Sequence, residues 1–251
     1  MSPLKTSRQL IAAARELAAQ VDRLKFQPPV THIYNPLDYA WAAHEKYLRK
    51  FGDGKKRVVF LGMNPGPFGM VQTGIPFGEI AAAKKLLGLD DKQEIKEPKI
   101  GRPKSEHPKR PVLGFDCPNS EVSGRRLWGL FLGCFDSPEK FFTEHFVVNY
   151  CPLAFMMNSG KNLTPDKLRK GECEKLLGFC DAHLRRVLEI LEPEWLVGVG
   201  NFAEERGKLF SDDFKVKVGR ILHPAPANPK ANQGDWGKKA AQQLVELGVW
   251  K

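Results

Sequence analysis

Two asparagines and one histidine stand just past segments that read as strands, and together they can do chemistry. "RVVFLG" (57–62) runs into Gly62-Met63-Asn64-Pro65-Gly66-Pro67, and "HFVVNYCPLAF" (145–155) carries Asn149 and then Cys151-Pro152. "EWLVGVG" (194–200) ends in Gly200-Asn201. "KVKVGRILH" (215–223) ends in His223 and continues as Pro224-Ala225-Pro226-Ala227-Asn228-Pro229. Ligands of open parallel sheets bind just beyond the carboxyl ends of the strands. Asn64, Asn149 and His223 can therefore share one crevice. An amide presents both donor and acceptor and matches the edge of a flat polar ring. A neutral imidazole can donate to an oxygen on which charge develops. Phe77, between Pro76 and Gly78, can stack on such a ring, and Gly62, Gly66 and Gly69 let backbone approach it closely.

What these positions lack is equally informative. No Asp or Glu stands immediately at any of the four strand ends, where a divalent-metal nuclease would want carboxylate oxygens. The chain holds no G-x-S-x-G elbow and no G-x-x-x-x-G-K-[ST] phosphate loop. The six histidines have no zinc-type spacing with one another or with cysteine. "GVGNFA" (198–203) matches G-x-G-x-x-[GA], but it follows the third strand and has no acidic residue about twenty positions on. Tight strand-to-helix packing is the simpler expectation there. The five cysteines form no C-x-x-C pair and are odd in number, which suits reduced thiols in a reducing compartment.

The elements that must position these residues alternate in type. Helical patterns occupy 36–51, 124–135, 164–191, 202–210 and 235–250, between or beyond the strands. Strands alternating with helices imply a parallel sheet covered on both faces. The fold class is α/β: a three-layer α/β/α sandwich on a central four-stranded parallel sheet. One domain spanning 1–251 is expected, with an N-terminal helix at about 5–25. A basic loop is expected at about 90–111, within a segment from Ala83 to Pro111 that reads as irregular. Between Lys96 and Arg110 six Lys/Arg face two Glu, so this loop is either a solvated insertion or a nucleic-acid contact. The net charge of +10 favours a polyanionic partner. Within "SGKNLTP" (159–165), Thr164 reads as an N-cap with Pro165 at N1, so a helix N-terminus there would bind an anion. No apolar run approaches the ~20 residues of a membrane span. The first residues lack the apolar core of a signal peptide. The protein is expected inside the cell, cytoplasmic if bacterial and nuclear if eukaryotic, as a monomer.

"GMNPGPFGMVQTGIPFGE", "PKRPVLGFDCPNSEVSGRRLWG", "VVNYCPLAFMMNSGKNLTP" and "LHPAPANPKAN" resemble the single-strand-selective monofunctional uracil-DNA glycosylases, a family of the uracil-DNA glycosylase superfamily. The resemblance runs in order from about Ile33 to the final helix. It implies an enzyme that flips uracil out of single- or double-stranded DNA and cleaves its N-glycosidic bond, leaving an abasic site. Related pyrimidines such as 5-hydroxymethyluracil are implied substrates, and no metal, cofactor or strand-cutting step is implied. Asn64 then matches the residue that positions the attacking water, and His223 the one that stabilises the departing base anion. Asn149 matches the reader of the uracil edge, Phe77 the stacking ring, and Met63 a pocket wall. Gly66 matches a small residue near the pyrimidine 5-position. Ser159, Gly160, Lys161 and Asn162 match a DNA-contacting stretch. Pro224, Pro226 and Asn228 match a wedge that enters the duplex.

The wedge departs from the family pattern His-Pro-Ser-Pro-Arg-Asn-Pro, because Ala225 and Ala227 replace its Ser and Arg. Weaker engagement of duplexes is the expected consequence, unless Lys230 compensates. Two other classes remain open at this level: a small-molecule nucleotide-binding α/β enzyme, and a protein that binds DNA lesions without catalysis.

Overall fold

Val58-Val59-Phe60-Leu61 contains no polar position, and in the computed structural model all four side chains are fully buried. Such an unbroken apolar run suits a parallel strand covered on both faces. The structure describes residues 5–89 and 96–251. In chain order the strands are β1 (Val30–Tyr34), β2 (Val58–Gly62), β3 (His145–Asn149), β4 (Ala154–Met157), β5 (Asn162–Leu163), β6 (Trp195–Val199) and β7 (Lys217–Ile221). The α-helices are α1 (Thr6–Val21), α2 (Pro36–Tyr39), α3 (Trp41–Phe51), α4 (Met70–Thr73), α5 (Ile80–Leu87) and α6 (Val122–Cys134). They continue as α7 (Pro138–Glu144), α8 (Lys170–Leu191), α9 (Asn201–Lys208), α10 (Ser211–Phe214) and α11 (Trp236–Glu246).

The central sheet has the order β3-β2-β6-β7, and every pairing in it is parallel. Its register brings the carboxyl ends level: Gly62 lies beside Asn149, and Val199 beside Ile221. The loops that carry Asn64, the residues after Asn149 and His223 therefore leave from one edge. Helices cover both faces. On one, Phe60 packs against Phe131 of α6 and Phe141 of α7. On the other, Tyr47 of α3 packs on Phe146 and donates its hydroxyl to the Val147 carbonyl at 2.8 Å. α1 packs across α3 and α8 on that second face, and an Arg206–Asp181 ion pair ties α9 to α8. This is the three-layer sandwich on four parallel strands that the sequence implied.

Several segments differ from the sequence reading. The run 145–155 is not one strand. β3 ends at Asn149, where Pro152 soon removes a ladder donor, and β4 then joins a separate antiparallel sheet, β1-β4-β5. The helix read at 36–51 breaks at Ala40, whose φ of −105° and ψ of 21° are not helical. The helix read at 164–191 begins only at Lys170. Pro165–Lys167 is a single 3-10 turn with no side-chain cap from Thr164, and Leu168 is extended at φ −71°, ψ 163°. The anion-binding helix N-terminus expected at Thr164 is thus replaced by a turn. The segment expected to be irregular from Ala83 instead starts inside α5, which Glu79 caps and Gly88 ends in the left-handed region. Positions 90–95 of the basic loop lie outside the described residues. Among the described residues no helix is long and apolar enough to cross a membrane.

Candidate active site

The stretch after β2 keeps its backbone paired beyond the end of the strand. The carbonyls of Gly62 and Met63 accept the N–H groups of Tyr150 and Cys151, each at 2.9 Å. Asn64 then donates its amide nitrogen to the Leu153 carbonyl at 3.2 Å. That bond leaves the Asn64 amide oxygen as the acceptor available to the pocket. The other polar side chains of the Gly/Pro-rich motif are structural. Gln72 donates to the carbonyls of Pro67 and Pro111 and accepts from the Leu113 N–H. Thr73 donates to the Gly78 carbonyl at 2.9 Å, and Glu79 accepts from the Ala82 N–H at 3.1 Å.

Phe77 sits at φ 52°, in the left-handed region that a bulky L-residue occupies only under strain. Its neighbours hold it there. Trp128 donates to the Pro76 carbonyl at 3.1 Å. Gly124 of α6 allows the Phe77 carbonyl so close that a Cβ at 124 would fall 2.1 Å from it. The Phe77 ring and the Asn149 amide meet over Gly62, where an added Cβ would lie 2.5 Å from the ring and 2.2 Å from Asn149 Oδ1. Asn149 is buried; its Nδ2 faces Met70 Sδ at 3.2 Å, and its Oδ1 has no protein partner. Buried acceptors are normally satisfied, so this oxygen awaits a donor.

His223 receives the backbone N–H of Ala225 on Nδ1 at 3.1 Å. Nδ1 must therefore be bare, and in the neutral ring the proton sits on Nε2. Burial pushes the His223 pKa down to about 4, so the ring is neutral at physiological pH. "GVGNFA" serves this arrangement. A Cβ at Gly198 would fall 2.3 Å from Glu204 N, which brings α9 directly onto β6. Gly200 has φ +93° and lies where a Cβ would fall 3.0 Å from the His223 Cβ. The motif packs a helix and seats the histidine.

Met63, Asn64, Gly66, Phe77, Asn149 and His223 line one pocket of about 240 Å³, with Gly62 beneath it. Asn162, expected among the DNA contacts, also lines this pocket. Its Nδ2 donates to the Pro65 carbonyl at 3.4 Å and its Oδ1 is buried without a partner. Glu121 is a pocket residue that the strand-end rule does not reach. It precedes α6, accepts the Phe68 N–H at 3.1 Å, and crowds Gly66. Burial raises its carboxyl pKa, and the Phe68 bond opposes the shift. Its only sequence signal is its place in "NSEVSGRRLWG".

Around the mouth, Ser159, Gly160 and Lys161 form the turn between β4 and β5, with Gly160 at φ +81°. Ser159 and Lys161 are exposed, whereas Gly160 is buried beneath the basic loop. Arg110 donates to the Gly160 carbonyl at 2.7 Å, and Tyr34 anchors both the His107 N–H and the Arg110 carbonyl. Lys109 and Lys161 therefore project from two fixed, adjacent turns. In the segment after His223, Pro226 and Ala227 are exposed and Pro224 is buried. Arg126 donates to the Pro224 carbonyl at 2.8 Å, and Asn232 to the Pro226 carbonyl at 2.7 Å. Asn228 is engaged inside this loop: it donates to the His223 carbonyl and accepts the Lys230 N–H.

The chain matches the model of the uracil DNA glycosylase superfamily over residues 49–245. The single-strand selective monofunctional uracil DNA glycosylase of Mus musculus is 45% identical over 255 residues, covering 99% of this chain and 88% of the relative. The enzyme of that name from Rattus norvegicus is 47% identical over 235 residues, covering 93% of this chain and 82% of the relative. A crystal structure of wild-type SMUG2 from Pedobacter heparinus superposes with a TM-score of 0.69 at 19% identity. It covers 99% of this chain and 100% of that one, a likeness of fold.

Proposed function

The chain belongs to the uracil-DNA glycosylase superfamily, and from that premise we propose that it excises uracil from DNA by hydrolysing the N-glycosidic bond, releasing the base and leaving an abasic site. The observation that carries the assignment is the meeting of a stacking ring, an unpartnered buried amide oxygen and a neutral Nε2–H imidazole in one pocket.

The chemistry follows from those groups. The base leaves the stack at a cost of a few kcal/mol and lies on Phe77. Uracil N3–H donates to Asn149 Oδ1. Bond breaking places positive charge on the sugar and negative charge on the base. His223 donates from Nε2 to the uracil O2 oxygen, and one such donor lowers a barrier by about 3–4 kcal/mol. Asn64 accepts a hydrogen bond from the attacking water through Oδ1 and orients it. An amide is a poor base, which a cation-like sugar tolerates because it needs only a weak nucleophile.

The basic surface attracts phosphates without regard to sequence, and that attraction weakens with salt. Lys109 and Lys161 form part of it. In this reading the exposed Pro226 and Ala227 fill the gap that a flipped base leaves, and both single and double strands are substrates. The substrate range includes uracils with small polar 5-substituents, such as 5-hydroxymethyluracil. Incubation with single- and double-stranded uracil oligonucleotides in chelator, followed by alkali, tests the proposal. Alkali-labile breaks at uracil are expected; their absence from both substrates would overturn the reading. Salt-insensitive binding would favour a metabolite-binding enzyme instead.

A further inference from the structure

Among the described residues that line the pocket, Glu121 has the only carboxyl group. One of its oxygens, Oε2, receives the Phe68 N–H at 3.1 Å. The other, Oε1, has no hydrogen-bond partner among the described residues. The carboxylate lies flat against the loop Gly66-Pro67-Phe68-Gly69. A Cβ at Gly66 would fall 2.5 Å from Oε2 and 3.1 Å from Oε1, and a Cβ at Gly69 would fall 3.1 Å from Glu121 Cγ. Glu121 thus packs closely over both glycines. A charged acceptor with one oxygen free of protein partners, set in the wall of the pocket, is open to use by a donor on a ligand.

The use follows from the orientation of the base, and so rests on the function proposed above. Asn64 marks the sugar side of the ring, His223 the O2 edge and Asn149 the N3 edge, while Phe77 takes one face. This leaves the 5-position; among the other lining residues, which include Met70, Ser123, Asn162 and Thr164, Glu121 alone brings a charged acceptor, and it lies against Gly66. We propose that Glu121 is the residue that selects the 5-substituent: its free carboxyl oxygen accepts a hydrogen bond from a substituent carrying a donor and disfavours an apolar one of equal size. A site that hydrogen-bonds a substrate hydroxyl rejects the analogue lacking it far better than an apolar pocket separates sizes.

The test uses single-turnover rates on single-stranded oligonucleotides containing uracil, 5-hydroxymethyluracil or 5-ethyluracil. The last two have nearly the same shape and differ in the donor. The wild-type protein is expected to cleave 5-hydroxymethyluracil well ahead of 5-ethyluracil. Glu121→Gln retains an oxygen for the Phe68 N–H but puts an NH2 donor where the free acceptor stood, so a hydroxyl there is left with a neutral hydrogen bond at most. It should lower the hydroxymethyl-to-ethyl ratio about tenfold, since charge-assisted hydrogen bonds are roughly twice as strong as neutral ones. Uracil cleavage should fall less than 5-hydroxymethyluracil cleavage, because no hydrogen bond to uracil is lost. A melting temperature close to wild type would show that the fold survives. A parallel fall on all three bases would make Glu121 a scaffold residue and overturn the inference, as would unchanged ratios. Equal wild-type rates on the two substituted bases would also overturn it while leaving uracil excision intact. Failure of the wild-type protein on uracil would instead remove the premise.

Discussion

The backbone N–H of Ala225 donates to Nδ1 of His223 at 3.1 Å, and this one bond decides which imidazole nitrogen can serve a substrate. With the pKa lowered by burial to about 4, the ring has no titration near neutrality. Uracil excision should therefore show no His223 ionisation between about pH 5.5 and pH 8, well above that pKa. A rate that fell tenfold per unit above about pH 6.5 would indicate an imidazolium acid with an ordinary pKa instead. His223→Ala should slow the single-turnover rate about 100- to 1,000-fold.

Asn64 is tethered through its Nδ2 to the Leu153 carbonyl at 3.2 Å. Asn64→Ala removes the tether and, in the proposed mechanism, the water contact, and should slow excision about 100-fold, the penalty of a misplaced reactant. Affinity for a non-hydrolysable uracil analogue in single-stranded DNA should be unchanged. Full single-turnover activity in the variant would refute the role. Asn64→Asp keeps the acceptor but turns the tether into a repulsion against Leu153 O, so it should also be slow.

Gly200 links a backbone conformation to the site. At φ +93°, with a Cβ position 3.0 Å from His223 Cβ, Gly200→Ala should cost about 1–2 kcal/mol of stability and displace the imidazole. Excision should fall by at least tenfold even where the protein remains folded. Gly178→Ala is the control. It lies within α8 with nothing near its Cβ position, and it should stabilise by about 0.5–1 kcal/mol without touching the rate. Equal effects of the two substitutions on excision would break the link.

Four histidines, His44, His145, His183 and His223, have pKa values lowered to about 4, in each case chiefly by burial. His44 and His183 also line one cavity behind Asn149, and the His44 charge further lowers the pKa of His183. In the unfolded chain each would titrate near 6.5, so the unfolded state binds more protons between about pH 6.5 and pH 4. Stability is complete above that window and falls as pH drops through it. Each histidine contributes roughly 3 kcal/mol across it, and a typical domain has only about 5–15 kcal/mol in total. Denaturant midpoints should decline steeply below about pH 6, with acid unfolding before pH 4. A midpoint constant from pH 7 to pH 4 would contradict this.

Lys161 and Lys109 project beside the pocket from turns locked together by the Arg110–Gly160 bond. Replacing either by Ala should reduce the slope of log affinity against log salt by about 1, with little change in the rate on bound substrate. Ala227→Arg, at the exposed tip after His223, should raise duplex cleavage relative to single-strand cleavage. An unchanged ratio would mean that this tip does not govern duplex entry.

The central strands were legible because a parallel strand covered on both faces is an uninterrupted apolar run, as in Val58–Leu61. Asn64, Asn149, His223 and Phe77 could be named because strand ends mark the crevice and because the surrounding motifs resembled a family. β1 was not legible: Val30-Thr31-His32-Ile33-Tyr34 alternates poorly, and its partner β4 lies more than a hundred residues away. Thr164-Pro165 looked like a helix start because it has the right residues for one; the chain makes one turn there and then straightens through Leu168. Glu121 escaped because it arrives from the start of a helix, and only the folded chain presses it against Gly66. Asn162 carries its structural meaning in a contact with Pro65, which no local pattern encodes.

The crossing from β3 to β4 takes only Tyr150, Cys151, Pro152 and Leu153. One end of this bridge holds Asn64 through the Leu153 carbonyl, and the strand it leads into closes the Ser159–Lys161 turn through the Met157 carbonyl. In the proposed reading the segment works as a ruler between the scissile bond and the phosphates. A residue added to it would put the two ends out of step, and on that reading the protein would grip a strand with its base out of reach.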